Sequence, residues 1–149
     1  NLPMFQRLLP RQSLEILKIC RPRSFSDREV VFEFGHKSTL MHILLSGTLG
    51  VNAADGTRIA ELSPITSVGE MGVITGEPRT ATVVAHKPAS VFELSKIKLE
   101  VLLKNYPDIG FLIYRKIIGL LSERLNNTNK DLIACQQELA EIKTTGILS

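Results

Sequence analysis

Between residues 21 and 95 the chain never holds one direction for long. Runs rich in Val, Ile, Phe and Thr at 29–34, 41–46, 48–53, 58–62, 79–86 and 90–95 are parted by turn formers. Those turn formers are Gly35, Gly47, the Asp55-Gly56 pair, Pro64, Pro78 and Lys87-Pro88. Short β-branched and aromatic runs bounded in this way read as strands, and Asp-Gly between two of them marks a hairpin. Six or more short strands at this spacing predict an all-β sandwich or barrel. With 149 residues in all, the chain is long enough to bury a core without disulfides or structural metals.

Both flanks of this region change period. Residues 3–20 carry Leu8, Leu9, Leu14, Ile16, Leu17 and Ile19 near helical spacing, interrupted by Pro10, and read as short helices. After the last strand a helix is expected over about 96–104, ended by Asn105 and the Tyr106-Pro107 step. Pro107 suits the first turn of a new helix, and Asp108 complements its dipole. From there to about Lys143, alternating gaps of three and four give Phe111, Tyr114, Ile118, Leu121, Leu125, Thr128, Leu132, Cys135, Leu139 and Ile142. That is the seam of a coiled coil. A second stripe, Ile109, Leu112, Ile113, Ile117 and Leu120, occupies only the first half, which is expected to rest on the β-domain. A helix of ~37 residues spans ~55 Å, longer than a small domain can cover, so pairing with a second copy is preferred over folding back. Three zones follow: 1–106, a β-domain with short flanking helices; 107–143, the long helix; and 144–149, a tail.

The chemistry is concentrated in Gly69-Glu70-Met71-Gly72-Val73-Ile74-Thr75-Gly76-Glu77-Pro78-Arg79-Thr80-Ala81-Thr82-Val83. It reads as a short helix with glycines at its amino end, then a turn, then a strand opening on Arg-Thr. Free backbone N–H groups at a helix start attract anions. A nearby guanidinium gives paired charge-assisted hydrogen bonds to phosphate, and Thr80 adds a hydroxyl. Glu70 would repel a bare phosphate. A ligand carrying both phosphate and sugar hydroxyls removes that conflict, with Glu70 accepting from the sugar and Arg79 taking the phosphate. Before ligand arrives, the site is expected to face solvent, so that folding survives the loss of Arg79.

This segment resembles the phosphate-binding cassette of cyclic-nucleotide-binding domains, as found in bacterial catabolite-activator proteins and kinase regulatory subunits. The family's upstream signature is also here: Gly35, five residues, Met41-His42-Ile43-Leu44, two residues, Gly47. The resemblance covers about residues 4–143. It implies an antiparallel, jelly-roll-like β-roll with short amino-terminal helices and a long carboxy-terminal dimerisation helix. It further implies that Glu70 binds the ribose 2′-hydroxyl and Arg79 the cyclic phosphate. Thr80 and the Gly72 amide complete the cradle, within a site framed by Gly69, Met71 and Ala81. Two departures stand out: Gly72 occupies a position that is alanine in many members, and His42 one that is commonly tyrosine. The run Arg124-Leu125-Asn126-Asn127-Thr128-Asn129 resembles the dimer helix of catabolite activators. By that likeness Thr128 caps the base from its own subunit and Asn129 from the partner. The ligand implied is cAMP, with cGMP permitted because Thr80 can also bond guanine; no other cofactor is expected.

Other classes find little support. Eighteen basic against fifteen acidic residues, net +3, is too small an excess to argue for nucleic acid. Only Thr144–Ser149 follow the long helix, too few residues for a helix-turn-helix, so no DNA contact by this chain is expected. No apolar run is long enough to cross a membrane, and no signal-peptide pattern opens the chain. Cys20 and Cys135 are expected to be free thiols in a reducing cytoplasm. His36, His42 and His86 lack metal-ligand spacing, and no nucleophile elbow, triad or Walker loop is present. A non-enzymatic sensor is expected. It is either a stand-alone dimeric receptor signalling to an unknown downstream protein or, as the missing initial Met suggests, a domain excised from a transcription factor, kinase or channel. The remaining alternative is an oligomerisation module whose cassette binds nothing.

Overall fold

The computed structural model describes residues 7–146; the expected helical positions at 3–6 and the end of the tail at 147–149 lie outside the described residues. Eight strands and four helices follow one another as α1 (Pro10–Ile19), β1 (Cys20–Phe25), β2 (Val30–Phe32), β3 (Leu40–Ser46), β4 (Leu49–Asn52), β5 (Arg58–Leu62), β6 (Thr66–Val68), α2 (Glu70–Thr75), β7 (Thr82–Ala85), β8 (Ala89–Ser95), α3 (Lys96–Asn105) and α4 (Pro107–Thr144). They fall into two compact units, one reaching Leu112 and the other starting at Ile113.

In the first unit the strands form two four-stranded sheets in the orders β1-β8-β3-β6 and β2-β7-β4-β5, with every pairing antiparallel. This is the strand order of a jelly roll. Between the sheets Phe25, Leu44, Leu49, Val68, Val83, Ala85, Ala89 and Val91 make a closed apolar cluster, edged by Val31, Phe32, Val51 and Leu62. Side chains alternate along a strand, so in β3 His42 and Leu44 share one face while Met41 and Ile43 share the other. All four are buried. Helix α3 lies against β8 and α1, and its Leu99 and Leu102 are buried, as are Ile16 of α1 and Ile109 at the start of α4. The Gln12 side chain donates to Asp108 at 2.5 Å, tying α1 to that start.

Turn chemistry sets the connections. Gly47 sits at φ 85°, and a Cβ there would lie 2.3 Å from the Pro88 carbonyl oxygen, so no other residue fits the β3–β4 turn. The Asp55-Gly56 hairpin is closed by the Ala53 N–H donating to the Thr57 carbonyl at 2.8 Å. Pro10 opens α1 rather than breaking it, as expected where the missing N–H is no loss.

The second unit is the continuation of α4, an unbroken helix to Thr144. Along the expected seam Ile118, Leu125, Leu132 and Leu139 remain 66%, 61%, 55% and 42% exposed. No helix among the described residues is long and apolar enough to cross a membrane.

Candidate functional site

Helix α2 begins where β6 ends, and Gly69 makes the junction. Its φ of 82° is left-handed, and a Cβ would meet the Arg79 Nη1 at 2.5 Å. Glycine is therefore required twice over, by backbone and by neighbour. Glu70 follows at the first helical position and is almost fully buried, Met71 is exposed, and Gly72 is buried. Gly76, also left-handed, ends the helix with its N–H on the Gly72 carbonyl at 2.9 Å. The turn through Pro78 then delivers Arg79, Thr80 and Ala81 to the start of β7. Thr80 is exposed and Ala81 half-buried.

Where the sequence leads one to expect a solvent-facing site, Arg79 is only 6% exposed. Its Nη1 donates to the Gly69 carbonyl at 3.1 Å and its Nη2 to the Leu40 carbonyl. The guanidinium lies 3.9 Å above the centroid of the Phe32 ring, a cation–π contact. Its Nε is buried and has no hydrogen-bond partner among the described residues. Burial pulls the Arg79 pKa below its ordinary value, and the Glu70 carboxylate opposes that shift. The reason for the burial is local. The Arg79 backbone is clipped to the β2–β3 loop, donating to the His36 carbonyl at 2.8 Å and accepting from Gly35 at 2.9 Å. That clip directs the side chain inward along α2.

Beneath Phe32 lies a second polar group. His42 is 2% exposed, with its ring centroid 5.9 Å from that of Phe32 and 6.2 Å from that of Phe25. Its Nε2 is 3.4 Å from Glu93 Oε1, which also takes a 2.9 Å ion pair from Arg23. Desolvation dominates and lowers the His42 pKa to about 4, with Arg79 and Arg23 pushing the same way and Glu93 opposing. The unfolded value, near 6.5, is therefore higher than the folded one. Stability is present above about pH 6.5 and is lost as the pH falls toward 4. Urea unfolding at pH 7 and pH 5 is expected to show a loss of about 2 kcal/mol that a His42→Phe variant does not share. Equal losses in both proteins would mean that His42 is not the titrating group.

The structure thus gathers Gly69, Glu70, Gly72 and Arg79 around one short helix, with Met71, Thr80 and Ala81 at its border. Arg124, Thr128 and Asn129 belong to the second unit. There Thr128 Oγ1 donates to the Arg124 carbonyl at 2.9 Å, and Thr128 and Asn129 are exposed. Phe32 and the Leu40 carbonyl, which fix Arg79, were not identified from sequence. Both lie beside the Gly35 turn, whose spacing to Gly47 was the available signal. No cluster of three His, Cys, Asp or Glu groups able to hold a metal occurs among the described residues.

The chain is 32% identical over 114 residues to a cyclic nucleotide-gated potassium channel of Mesorhizobium japonicum, a match covering 76% of this chain and 31% of the channel. It is 28% identical over 123 residues to glutaminase 1 of Bradyrhizobium diazoefficiens, covering 83% of this chain and 20% of that enzyme. The chain therefore spans about a third or less of these relatives. The catabolite activator protein of Thermus thermophilus superposes with a TM-score of 0.75 at 22% identity, over 90% of this chain and 63% of that one. The family model for the cyclic nucleotide-binding domain matches residues 22–106, more than half of the length, and the chain belongs to that family.

Proposed function

We propose that this chain is a regulatory sensor that binds cAMP in preference to cGMP and passes its state on through a homodimer formed by residues 107–143. One observation carries the reading. The Arg79 guanidinium is held beside the Glu70 carboxylate at the start of α2, with its Nε lacking a partner among the described residues. An arginine anchored this way presents a fixed charge to an incoming phosphate. Buried Glu70 suits a ligand that brings a hydroxyl donor along with its anion. The Gly72 amide and the Thr80 hydroxyl complete the phosphate contacts, and Gly69, Met71 and Ala81 frame them.

The base is assigned to the long helix. Thr128 already uses its proton on the Arg124 carbonyl, so its oxygen is left as an acceptor. The exocyclic amino group of adenine is a donor that matches it, and the guanine carbonyl is not. Asn129, about 100° further round the helix, takes the base held by the partner subunit. Support for the dimer comes from the exposed apolar seam of α4. The channel, the glutaminase and the activator protein carry related domains on three different outputs. We assign this chain no catalysis of its own, and its downstream partner is a protein. Free Cys20 and Cys135 suit a cytoplasmic setting.

The ribose contact is tested with a 2′-deoxy ligand. The parent is expected to bind 2′-deoxy-cAMP roughly tenfold or more weakly than cAMP, since a hydrogen bond to a charged group contributes about 1.5–3 kcal/mol. Glu70→Gln should lower cAMP affinity and nearly abolish the discrimination. Equal discrimination by both proteins would take Glu70 off the ribose.

A further inference from the structure

The β2–β3 loop does more than hold the Arg79 backbone. Ser38, within it, is 7% exposed, and its Oγ is buried with no hydrogen-bond partner among the described residues. It is pressed against α2: a methyl group built on Gly72 would lie 1.9 Å from Ser38 Oγ and 2.2 Å from Ser38 Cβ. Position 72 is therefore glycine because the serine side chain fills the volume that an alanine methyl would need, with the Glu77 carbonyl oxygen closing it from the other side at 2.9 Å. Around it the same loop receives the Arg79 N–H on His36 and gives the Gly35 N–H to the Arg79 carbonyl, while Leu40, where β3 begins, receives the Arg79 guanidinium. Among the described residues Ser38 Oγ and Arg79 Nε are two buried donors without partners, joined by one loop and adjoining one helical turn. A buried hydroxyl without a partner costs folding free energy that alanine would avoid. A hydroxyl kept at such a cost has a use in another state of the protein.

We propose that Ser38 is a ligand-binding residue whose Oγ–H donates to the phosphate of the bound cyclic nucleotide, next to the Gly72 amide. This rests on the cyclic nucleotide reading above. In this cassette a hydroxyl from the β2–β3 loop takes the place of a methyl on α2, so Ser38 and Gly72 act as a pair. Ligand-free and ligand-bound states then make opposite demands. Removing the hydroxyl relieves the free protein and weakens the complex, whereas a residue that serves only as packing would weaken both.

The test combines calorimetric titration with cAMP and urea unfolding of the ligand-free chain. Ser38→Ala is expected to unfold at the same urea concentration as the parent or higher, and to bind cAMP about tenfold more weakly. Gly72→Ala alone is expected to displace α2 and damage both properties. Ser38→Gly combined with Gly72→Ala should recover part of the folding loss, the Glu77 carbonyl still lying 2.9 Å from the new methyl, and keep the tenfold deficit, because the space is refilled without the hydroxyl. A Ser38→Ala protein that binds cAMP within a factor of two of the parent overturns the proposal. So does one whose stability and affinity fall together, and so does a double variant with parental affinity. A parent that binds neither cAMP nor cGMP would overturn the cyclic nucleotide reading first and this proposal with it. That outcome is visible before any variant is made.

Discussion

Arg79→Ala is expected to lower affinity for cAMP ~10²-fold or more. Two charge-assisted hydrogen bonds of about 1.5–3 kcal/mol each are lost with the guanidinium. Arg79→Lys should recover only part of this, because a point charge cannot make a planar, two-pronged contact. The buried position adds a second effect. In the free protein Arg79 joins the Gly69 carbonyl before α2 to the Leu40 carbonyl at the start of β3, and it covers Phe32. Its truncation leaves both carbonyls to find other donors and opens a gap over the ring, so the alanine variant should also unfold at lower urea. Titration therefore belongs well below the variant's melting temperature, where it is fully folded. Affinity within a factor of three of the parent under those conditions would remove Arg79 from the phosphate.

The next largest effect is expected on assembly. Leu125 and Leu132 are 61% and 55% exposed on the seam of α4. Each leucine buried in a helix pair contributes roughly 1.5–3 kcal/mol, and a dimer buries both from each chain. Leu125→Asp with Leu132→Asp should therefore shift a dimer to monomer in sedimentation at any practical concentration. It should leave binding through Arg79 and Glu70 in place, but weaker, since the partner's Asn129 no longer reaches the base. Thr128→Ala should stay dimeric and lose affinity for cAMP more than for cGMP. A parent that sediments as a monomer would leave α4 without a partner helix and the base uncapped.

The parts of this molecule that were legible in the sequence are those where local chemistry and fold agree. The left-handed glycines at 35, 47 and 56 stand at the turns the sequence assigns to them. Short β-branched runs between turn formers, and the period-seven pattern, locate β3, β4, β5 and α4 closely. Two strands escaped. β1 shows solvent Arg21, Pro22 and Arg23 and buries only Phe25 at its end, so an edge strand of this kind carries no alternating apolar signal. β6 is three residues long and follows Pro64 too closely to be read as a run. The run at 79–86 narrowed to Thr82–Ala85, because Arg79 and Thr80 belong to the site rather than to the sheet.

Within the site, residue types were readable but their resting contacts were not. The cassette spells out Glu70 and Arg79. It does not tell that the guanidinium lies inward on Phe32, because that depends on a loop 40 residues upstream closing over it. Gly72 shows the same limit. As a lone departure from alanine it reads as a smaller residue that keeps an amide available. The proximity of Ser38, and behind it of the Glu77 carbonyl, explains which neighbours the missing methyl makes room for. Likewise the sequence leaves His42 as either a core or a surface histidine; it lies in the core, and its charge environment comes from Glu93, Arg23 and Arg79 on three other segments.

The central claim is that the cassette around α2 binds a cyclic nucleotide, and calorimetric titration of the full 149-residue chain with cAMP and cGMP tests it most directly. The expected result is saturable binding of one nucleotide per chain, tighter for cAMP, with the ligand raising the urea midpoint in step with its concentration. Absence of heat and of stabilisation with both nucleotides would contradict the account and leave a β-roll whose cassette serves the fold alone.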